Sequence, residues 1–204
     1  MFDDITGIIL AGGKSKRMGE NKALMSFNGK TVIEHVVSTV SSLFKRVIII
    51  TNTPSDYSNL GLEMFSDFYE NKGPLAGIHS GLASSMTEKN FIISCDMPLV
   101  TTEIINYICS YKTIKPITIL KADGYLQHLC GMYCRKILPY AGEMLMNSSY
   151  SPNQKGCNIH DLIDEVGSEV IDASKIPGYF EGMFLNLNCP EDYKRLLSVS
   201  KVLQ

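Results

Sequence analysis

Short runs of β-branched and aliphatic residues alternate along this chain with longer segments whose apolar residues recur at helical spacing. The short runs are nearly continuous in apolar residues, as at Val47–Ile50 and Ile117–Leu120. Strands that are apolar on both faces are typical of parallel sheets covered by helices on each side. The pattern therefore predicts a three-layer α/β/α fold with a Rossmann-like, mostly parallel sheet.

The same patterns place the individual elements. Strands are predicted at 7–11, 46–51, 62–65, 91–94, 117–120, 129–133, 169–172 and 184–186, and helices at 31–42, 78–86, 102–111, 136–146, 158–165 and 191–202. The first helix has the clearest start, because Thr31 and Glu34 have the spacing of a capping box. The sequence has no internal repeat, low-complexity tract or linker-like stretch, so we expect one domain over residues 1–204.

Charge and cysteine usage exclude several classes of protein. The chain has 19 Lys and Arg against 21 Asp and Glu, which disfavours a nucleic-acid coat or a polybasic membrane binder. The first residues are acidic where a secretory signal would be basic, and the apolar runs are too short to span a bilayer. The six cysteines form no CxxC pair. We expect a reduced, cytoplasmic protein without nucleic-acid or membrane partners.

The most informative segment is the string rich in glycine and lysine that follows the first strand. It reads Leu10-Ala11-Gly12-Gly13-Lys14-Ser15-Lys16-Arg17-Met18-Gly19-Glu20-Asn21-Lys22-Ala23-Leu24. Adjacent glycines let backbone amides approach an anion, and four cations accompany a single acid. Open α/β sheets bind ligands at this carboxyl edge. The string therefore predicts a triphosphate site, and a turn with solvated lysines is the alternative.

Two common nucleotide-binding classes do not fit the string. It does not end in GK[ST], as a P-loop does, and its glycines are adjacent, which is unlike the GxGxxG of dinucleotide-binding folds. Both a P-loop NTPase and a dinucleotide oxidoreductase are therefore disfavoured.

An acid follows the strongest strand of the chain. Phe91–Ser94 is followed by Cys95-Asp96-Met97-Pro98, and Pro98 prevents further strand pairing. Asp96 is then expected at the carboxyl edge of the sheet. A carboxylate there can hold Mg²⁺, which takes its remaining ligands from water and substrate phosphates. Capping of a turn is the alternative, and the nearby cationic string favours the metal.

The complete string resembles the signature LAGGxSxRMGxxKAL of nucleotidyltransferases with the nucleotide-diphospho-sugar transferase fold. Within that group the chain is most similar to the molybdenum cofactor guanylyltransferase family, and later motifs follow in the family's order. The resemblance implies that the backbone of Leu10, Ala11, Gly12 and Gly13 wraps the nucleotide. It also implies that Arg17 and Lys22 contact the phosphates as catalytic cations, and that Asp96 binds magnesium and nucleotide.

Further contacts follow from the same resemblance. It implies that Asn52, Asp67 and Gly77 contact GTP, although Asn and Asp after strands are commonly turn residues. Gly77 ends the stretch Gly73–Gly77, which leaves room for a base or ribose but equally suits entry into a helix. The motif around Asn186 and Asn188 resembles the family's NxNTPED. It implies a pterin-side role for both residues, with turn residues at a helix entrance as the alternative.

The resemblance implies transfer of GMP from GTP to the terminal phosphate of molybdenum-bound molybdopterin, with release of pyrophosphate and Mg²⁺ as cofactor. Molybdoenzymes or other proteins of cofactor biosynthesis are candidate partners. Related cytidylyltransferases carry LAAG where this chain has LAGG, and the missing methyl leaves space for the larger guanine. One alternative is a nucleotidyltransferase that uses CTP or a sugar phosphate. A non-catalytic GTP-binding partner of molybdoenzymes is another, and Lys22 and Asp96 argue against it.

Overall fold

The computed structural model describes residues 1–12, 21–147, 158–187 and 189–202. The strands in these residues are β1 Phe2–Leu10, β2 Ser26–Phe27, β3 Lys30–Thr31, β4 Phe44–Ile50, β5 Glu63–Phe65, β6 Lys89–Ser94, β7 Ile117–Ala122, β8 Tyr125–Cys134 and β9 Glu169–Asp172. The α-helices are α1 Val32–Leu43, α2 Pro74–Ser84, α3 Thr102–Ser110, α4 Leu138–Asn147, α5 Ile159–Val166 and α6 Pro190–Val202. Most of these elements overlap the predicted ones.

The large sheet has the strand order β5-β4-β1-β6-β8-β7-β9. All its neighbouring strands are parallel except β8, which is antiparallel to both β6 and β7. The reversal follows from a two-residue turn, in which Asp123 has φ 53° and Gly124 has φ 84°. Two successive residues at positive φ are typical of the tight turns that join hairpins. The predicted mostly parallel sheet is confirmed.

Helices cover both faces of this sheet, which confirms the three-layer prediction. Ile9, Ile49 and Ile93 belong to one buried cluster together with residues of α1 and α3. Their neighbours along the strands, such as Ile8 and Ile92, belong to a second buried cluster together with residues of α2, α4 and α5. Successive strand residues are therefore buried on opposite faces, and this explains why the strands lack polar alternation.

The capping box of α1 is present as the sequence predicts. The Thr31 backbone amide donates to Glu34 Oε2 at 2.6 Å, and the Glu34 amide donates to Thr31 Oγ1 at 3.4 Å. The two residues thus satisfy amides that the helix itself leaves without partners. The short hairpin of β2 and β3 just before this helix was not predicted, because two-residue strands leave no periodic signal.

The predicted strand at 184–186 is wrong. The Leu185 amide donates to the Gly182 carbonyl at 3.0 Å, so the chain turns here instead of pairing with the sheet. Phe184 is nevertheless buried and stacks against Tyr179. The apolar run reflects a buried loop, and a run this short cannot distinguish a buried loop from a strand.

The helices in the described parts of the chain are too short or too polar to cross a bilayer.

Candidate active site

The carboxyl ends of three strands are joined side by side. The Ala11 amide donates to the Ile50 carbonyl at 2.9 Å, and the Cys95 amide donates to the Leu10 carbonyl at 3.0 Å. These bonds continue the ladders of β1 with β4 and β6 by one residue beyond the strands. The segments that follow β1, β4 and β6 therefore leave the sheet at the same edge, where α/β folds bind ligands.

At this edge Lys22 contacts Asp96. Lys22 Nζ lies 2.5 Å from Asp96 Oδ2, and the Asp96 side chain is only 6% exposed. The second oxygen, Oδ1, accepts a hydrogen bond from the Ser94 hydroxyl. Two residues 74 positions apart in sequence, each predicted from its own motif, are thus in direct contact.

Asn21 and Tyr57 fix the start of the short helix that carries Lys22. Asn21 Oδ1 accepts from the Ala23 amide at 3.1 Å, while its Nδ2 donates to the Tyr57 hydroxyl at 3.0 Å. Tyr57 is buried, and burial raises the pKa of its phenol. The sequence gives a signal for Asn21, which is a favoured N-cap residue directly before Lys22. It gives none for Tyr57, which lies on a separate segment.

The described part of the glycine string offers backbone rather than side chains. Leu10 and Ala11 are buried in the core, so their side chains are not available to a ligand. At Gly12 no described atom lies within 4 Å of the position that a Cβ would occupy. Gly13 and Arg17 lie outside the described residues, so their roles stay predictions.

Asn52 and Asp67 form a reciprocal pair after β4 and β5. Asn52 Nδ2 donates to Asp67 Oδ2 at 2.8 Å, and the Asp67 amide donates to Asn52 Oδ1 at 3.0 Å. The other carboxylate oxygen, Oδ1, is buried and has no hydrogen-bond partner among the described residues. A Cβ built at Gly77 would lie 3.8 Å from this oxygen and 3.4 Å from Leu10 Cδ2. Three residues predicted to contact nucleotide are therefore neighbours.

The Asp67 carboxyl should make protein stability depend on pH. Burial raises its folded-state pKa above the ordinary value of 3.8, while Asn52 opposes the shift. Its contribution to stability is therefore complete below pH 3.8 and is lost as the pH rises through the raised pKa. We expect the free energy of unfolding of the wild type to fall, relative to that of Asp67→Asn, as the pH rises from 3.8 toward neutrality.

Urea denaturation at a series of pH values measures this difference. Glu70→Gln, which removes an exposed carboxylate three residues away, serves as the control. A wild type that gains stability relative to Asp67→Asn over the same pH range would contradict the expected sign.

Asn186 lies beside the segment that follows Asp96. Its neighbour Leu187 is fully buried in a cluster with Leu99, which is three residues beyond Asp96. Asn186 Oδ1 is buried and has no hydrogen-bond partner in the described parts of the chain. Asn188, the other predicted pterin-side residue, lies outside the described residues.

The predicted magnesium ligand can be tested against the contacts of Asp96. The described residues contain no group of three or more acidic, His or Cys side chains suited to a metal. However, Mg²⁺ in nucleotide sites commonly uses one or two carboxylates, substrate phosphates and water. A carboxylate accepts about four hydrogen bonds or ligands, and two of these positions on Asp96 are taken by Ser94 and Lys22. The donor set therefore fits a magnesium–triphosphate complex.

Comparison with known proteins decides the family. The sequence model of one protein family, the MobA-like NTP transferase domain, matches residues 7–153. The chain belongs to this family. It is 32% identical over 200 residues to a protein of Carboxydothermus hydrogenoformans named "Probable molybdenum cofactor guanylyltransferase". The aligned region covers 97% of this chain and 98% of the relative. It is 35% identical to the molybdenum cofactor guanylyltransferase of Desulfosudis oleivorans, over 74% of this chain and 78% of that protein.

A solved structure supports the fold independently. Molybdopterin-guanine dinucleotide biosynthesis protein A from Archaeoglobus fulgidus superposes with a TM-score of 0.79 over 97% of this chain and 99% of that one. The sequence identity is 21%, so this likeness concerns the fold. It confirms the predicted nucleotidyltransferase-type α/β architecture.

Proposed function

We propose that this chain transfers the guanylyl group of GTP to the terminal phosphate of molybdopterin, forming molybdopterin guanine dinucleotide and releasing pyrophosphate. The observation that carries the proposal is the contact between Lys22 Nζ and Asp96 Oδ2 at the carboxyl edge of the sheet. It brings a phosphate-binding cation and a candidate metal ligand to one place. The names of the relatives support the choice of nucleotide and acceptor.

In this reaction an oxygen of the acceptor phosphate attacks the α-phosphorus of GTP. The bond from that phosphorus to the bridging oxygen breaks, and its electron pair leaves with pyrophosphate. A phosphate monoester is largely ionised at neutral pH, so the attack requires no general base. The protein therefore acts by positioning the two substrates in line and by stabilising the charge that develops on the leaving group.

The charged residues divide this work. Lys22 places a positive charge beside the departing phosphates, and Asp96 holds the lysine in position at 2.5 Å. Mg²⁺ bound at Asp96 would neutralise part of the triphosphate charge. Arg17 is proposed from the resemblance to bind phosphate oxygens through its planar guanidinium group.

Asp67 and Asn52 are proposed to hold the nucleoside. An ionised carboxylate only accepts hydrogen bonds, so the unpartnered Oδ1 of Asp67 suits a donor such as a ribose hydroxyl or the N1–H of guanine. Gly77 lies on α2 next to this oxygen. The backbone of Leu10–Gly13 is proposed to lie along the phosphates.

We also propose that residues 1–204 form a single nucleotidyltransferase domain. The Tyr193 hydroxyl on α6 donates to the Ser26 carbonyl at 2.5 Å, so the last helix packs on the hairpin that follows Lys22. Leu196 joins Phe27 and Val32 in the same buried cluster. Association with molybdoenzymes and a cytoplasmic location stay predictions from the sequence.

Turnover with alternative substrates tests the proposed function. The purified protein is incubated anaerobically with molybdopterin, Mg²⁺ and either GTP or CTP, and dinucleotide and pyrophosphate are quantified. We expect GTP to be used in preference to CTP, and activity to require the divalent metal. Preference for CTP would replace the guanylyl assignment with a cytidylyl one. Binding of GTP without any pyrophosphate release would favour the non-catalytic alternative.

A further inference from the structure

β8 carries a large bulge at the edge where Asp96 lies. Between the pairs Ile119–Gly131 and Lys121–Leu126, β7 advances by two residues while β8 advances by five. Three extra residues are therefore accommodated in β8. Bulges of this kind occur beside active sites, where they redirect a side chain.

Two side-chain hydrogen bonds hold the bulge in place. The Tyr133 hydroxyl donates to the His128 carbonyl at 2.5 Å, and Gln127 Nε2 donates to the Ala122 carbonyl at 3.4 Å. Tyr133 is fully buried, so this bond is anchored in the core. The backbone around His128 thus has a defined conformation although it leaves the sheet pairing.

The imidazole of His128 packs against that of His160 in the first turn of α5. The ring centroids are 4.1 Å apart and the ring planes are inclined at 68°, an edge-to-face contact. His128 Nε2 is buried and has no hydrogen-bond partner among the described residues. Burial and the neighbouring His160 lower the pKa of His128, so its ring is neutral at neutral pH. A buried polar atom without a partner costs free energy that a bound ligand can recover.

His128 lies on the same face and at the same edge of the sheet as Asp96. The ladder between β6 and β8 ends with the pair Ile93 and Cys130. Because β8 is antiparallel to β6, His128, two residues before Cys130, lies beyond the end of this ladder on the side of Asp96. Ile92 faces the cluster that contains α5, and Ser94, two residues further along β6, faces the same side and bonds Asp96. α5 leads directly into β9, which is parallel to β7. The end of α5 therefore lies at the edge where β9 begins, and its first turn lies at the opposite, carboxyl edge.

The order of the strands separates the two substrates. Asn52 and Asp67 follow β4 and β5, on one side of the central strand β6 that leads to Asp96. β8 lies on the other side of β6. With the nucleoside over β4 and β5, the edge over β8 is the space left for the acceptor.

We propose that His128 is a specificity-determining residue for the second substrate. Its Nε2–H donates a hydrogen bond to the phosphate group of the pterin acceptor. This inference rests on the proposed function. His160 is a positioning residue that fixes the plane of the His128 ring.

The test is His128→Phe, which keeps the ring contact with His160 and removes Nε2. We expect the KM for molybdopterin to rise about tenfold, as for loss of one hydrogen bond to a charged group, with an unchanged KM for GTP and no decrease in the melting temperature. His128→Gln, which restores a donor, should recover part of the loss. An unchanged KM for molybdopterin in His128→Phe, or an equal rise in both KM values, would overturn the proposal.

His79→Phe is the matched control. His79 also has a buried ring nitrogen without a partner among the described residues, but it packs against Tyr69 on the nucleotide side. It should leave the KM for molybdopterin unchanged.

Equilibrium binding of molybdopterin in the absence of nucleotide, measured by the fluorescence of the pterin, tests the role of His128 separately from the nucleotide assignment. Weaker binding to His128→Phe than to the wild type supports the role of His128 even if the nucleotide assignment fails. Equal binding by the two proteins contradicts that role even if guanylyl transfer is observed.

Discussion

Replacing Asp96 by asparagine should lower the rate of guanylyl transfer by a factor of about 10² to 10³. The amide has nearly the same shape as the carboxylate and can still accept a hydrogen bond from Ser94. It loses the negative charge that holds Lys22 Nζ at 2.5 Å and that would bind the metal. The rate of pyrophosphate release at saturating GTP and molybdopterin measures the effect.

Glu63→Gln is the matched control for this substitution. Glu63 forms an ion pair with Arg46 at 2.7 Å, but its side chain is 61% exposed and lies on the edge strand β5. The same chemical change there should leave the rate unchanged. A thermal unfolding curve confirms that each variant is folded. Wild-type rates in folded Asp96→Asn would contradict the role of Asp96.

Replacing Lys22 by methionine should lower the rate by about 10². The substitution keeps an unbranched side chain of similar length but removes the charge beside the departing phosphates. It also leaves the Asp96 carboxylate, which is only 6% exposed, without this cation. Loss of one partner of a buried ion pair costs about 3 kcal/mol or more, so we also expect a lower melting temperature.

The double variant Lys22→Met with Asp96→Asn tests whether the two residues act together. Because each single change breaks the same contact, the combined loss of rate should be smaller than the product of the two separate losses. Lys22→Arg, which keeps the charge, should retain more activity than Lys22→Met. Losses that multiply would mean that Lys22 and Asp96 act independently.

Most of the architecture could be predicted because the local signals agree with the tertiary fold. The strands β1, β4 and β6 are buried on both faces, so their continuous apolar runs identify them in the sequence. The start of α1 follows from its capping box. The direction of β8 was not predicted, although the turn at Asp123 and Gly124 that reverses the chain is local. The loop at Phe184 was not predicted, because a short apolar run does not distinguish a buried loop from a strand.

The residues of the candidate site likewise include some that local motifs predicted and some that they did not. Lys22 and Asp96 were each predicted from a local motif, and their contact confirms that the two motifs meet. Tyr57 and His128 were not predicted as site residues. Tyr57 acts through a hydrogen bond to Asn21 across 36 positions, and His128 depends on a bulge whose size only strand pairing reveals.

The amino-acid sequence by itself determined the strand–helix alternation, the cationic string after β1 and the acid after β6, since each depends on residues close together in the chain. Only the tertiary structure decided that Lys22 and Asp96 are 2.5 Å apart and that His128 faces α5 on the other side of β6. The physical reason is that strand order and register follow from the packing of the whole core. Side chains at one sheet edge are brought together by that packing and not by their separation in sequence.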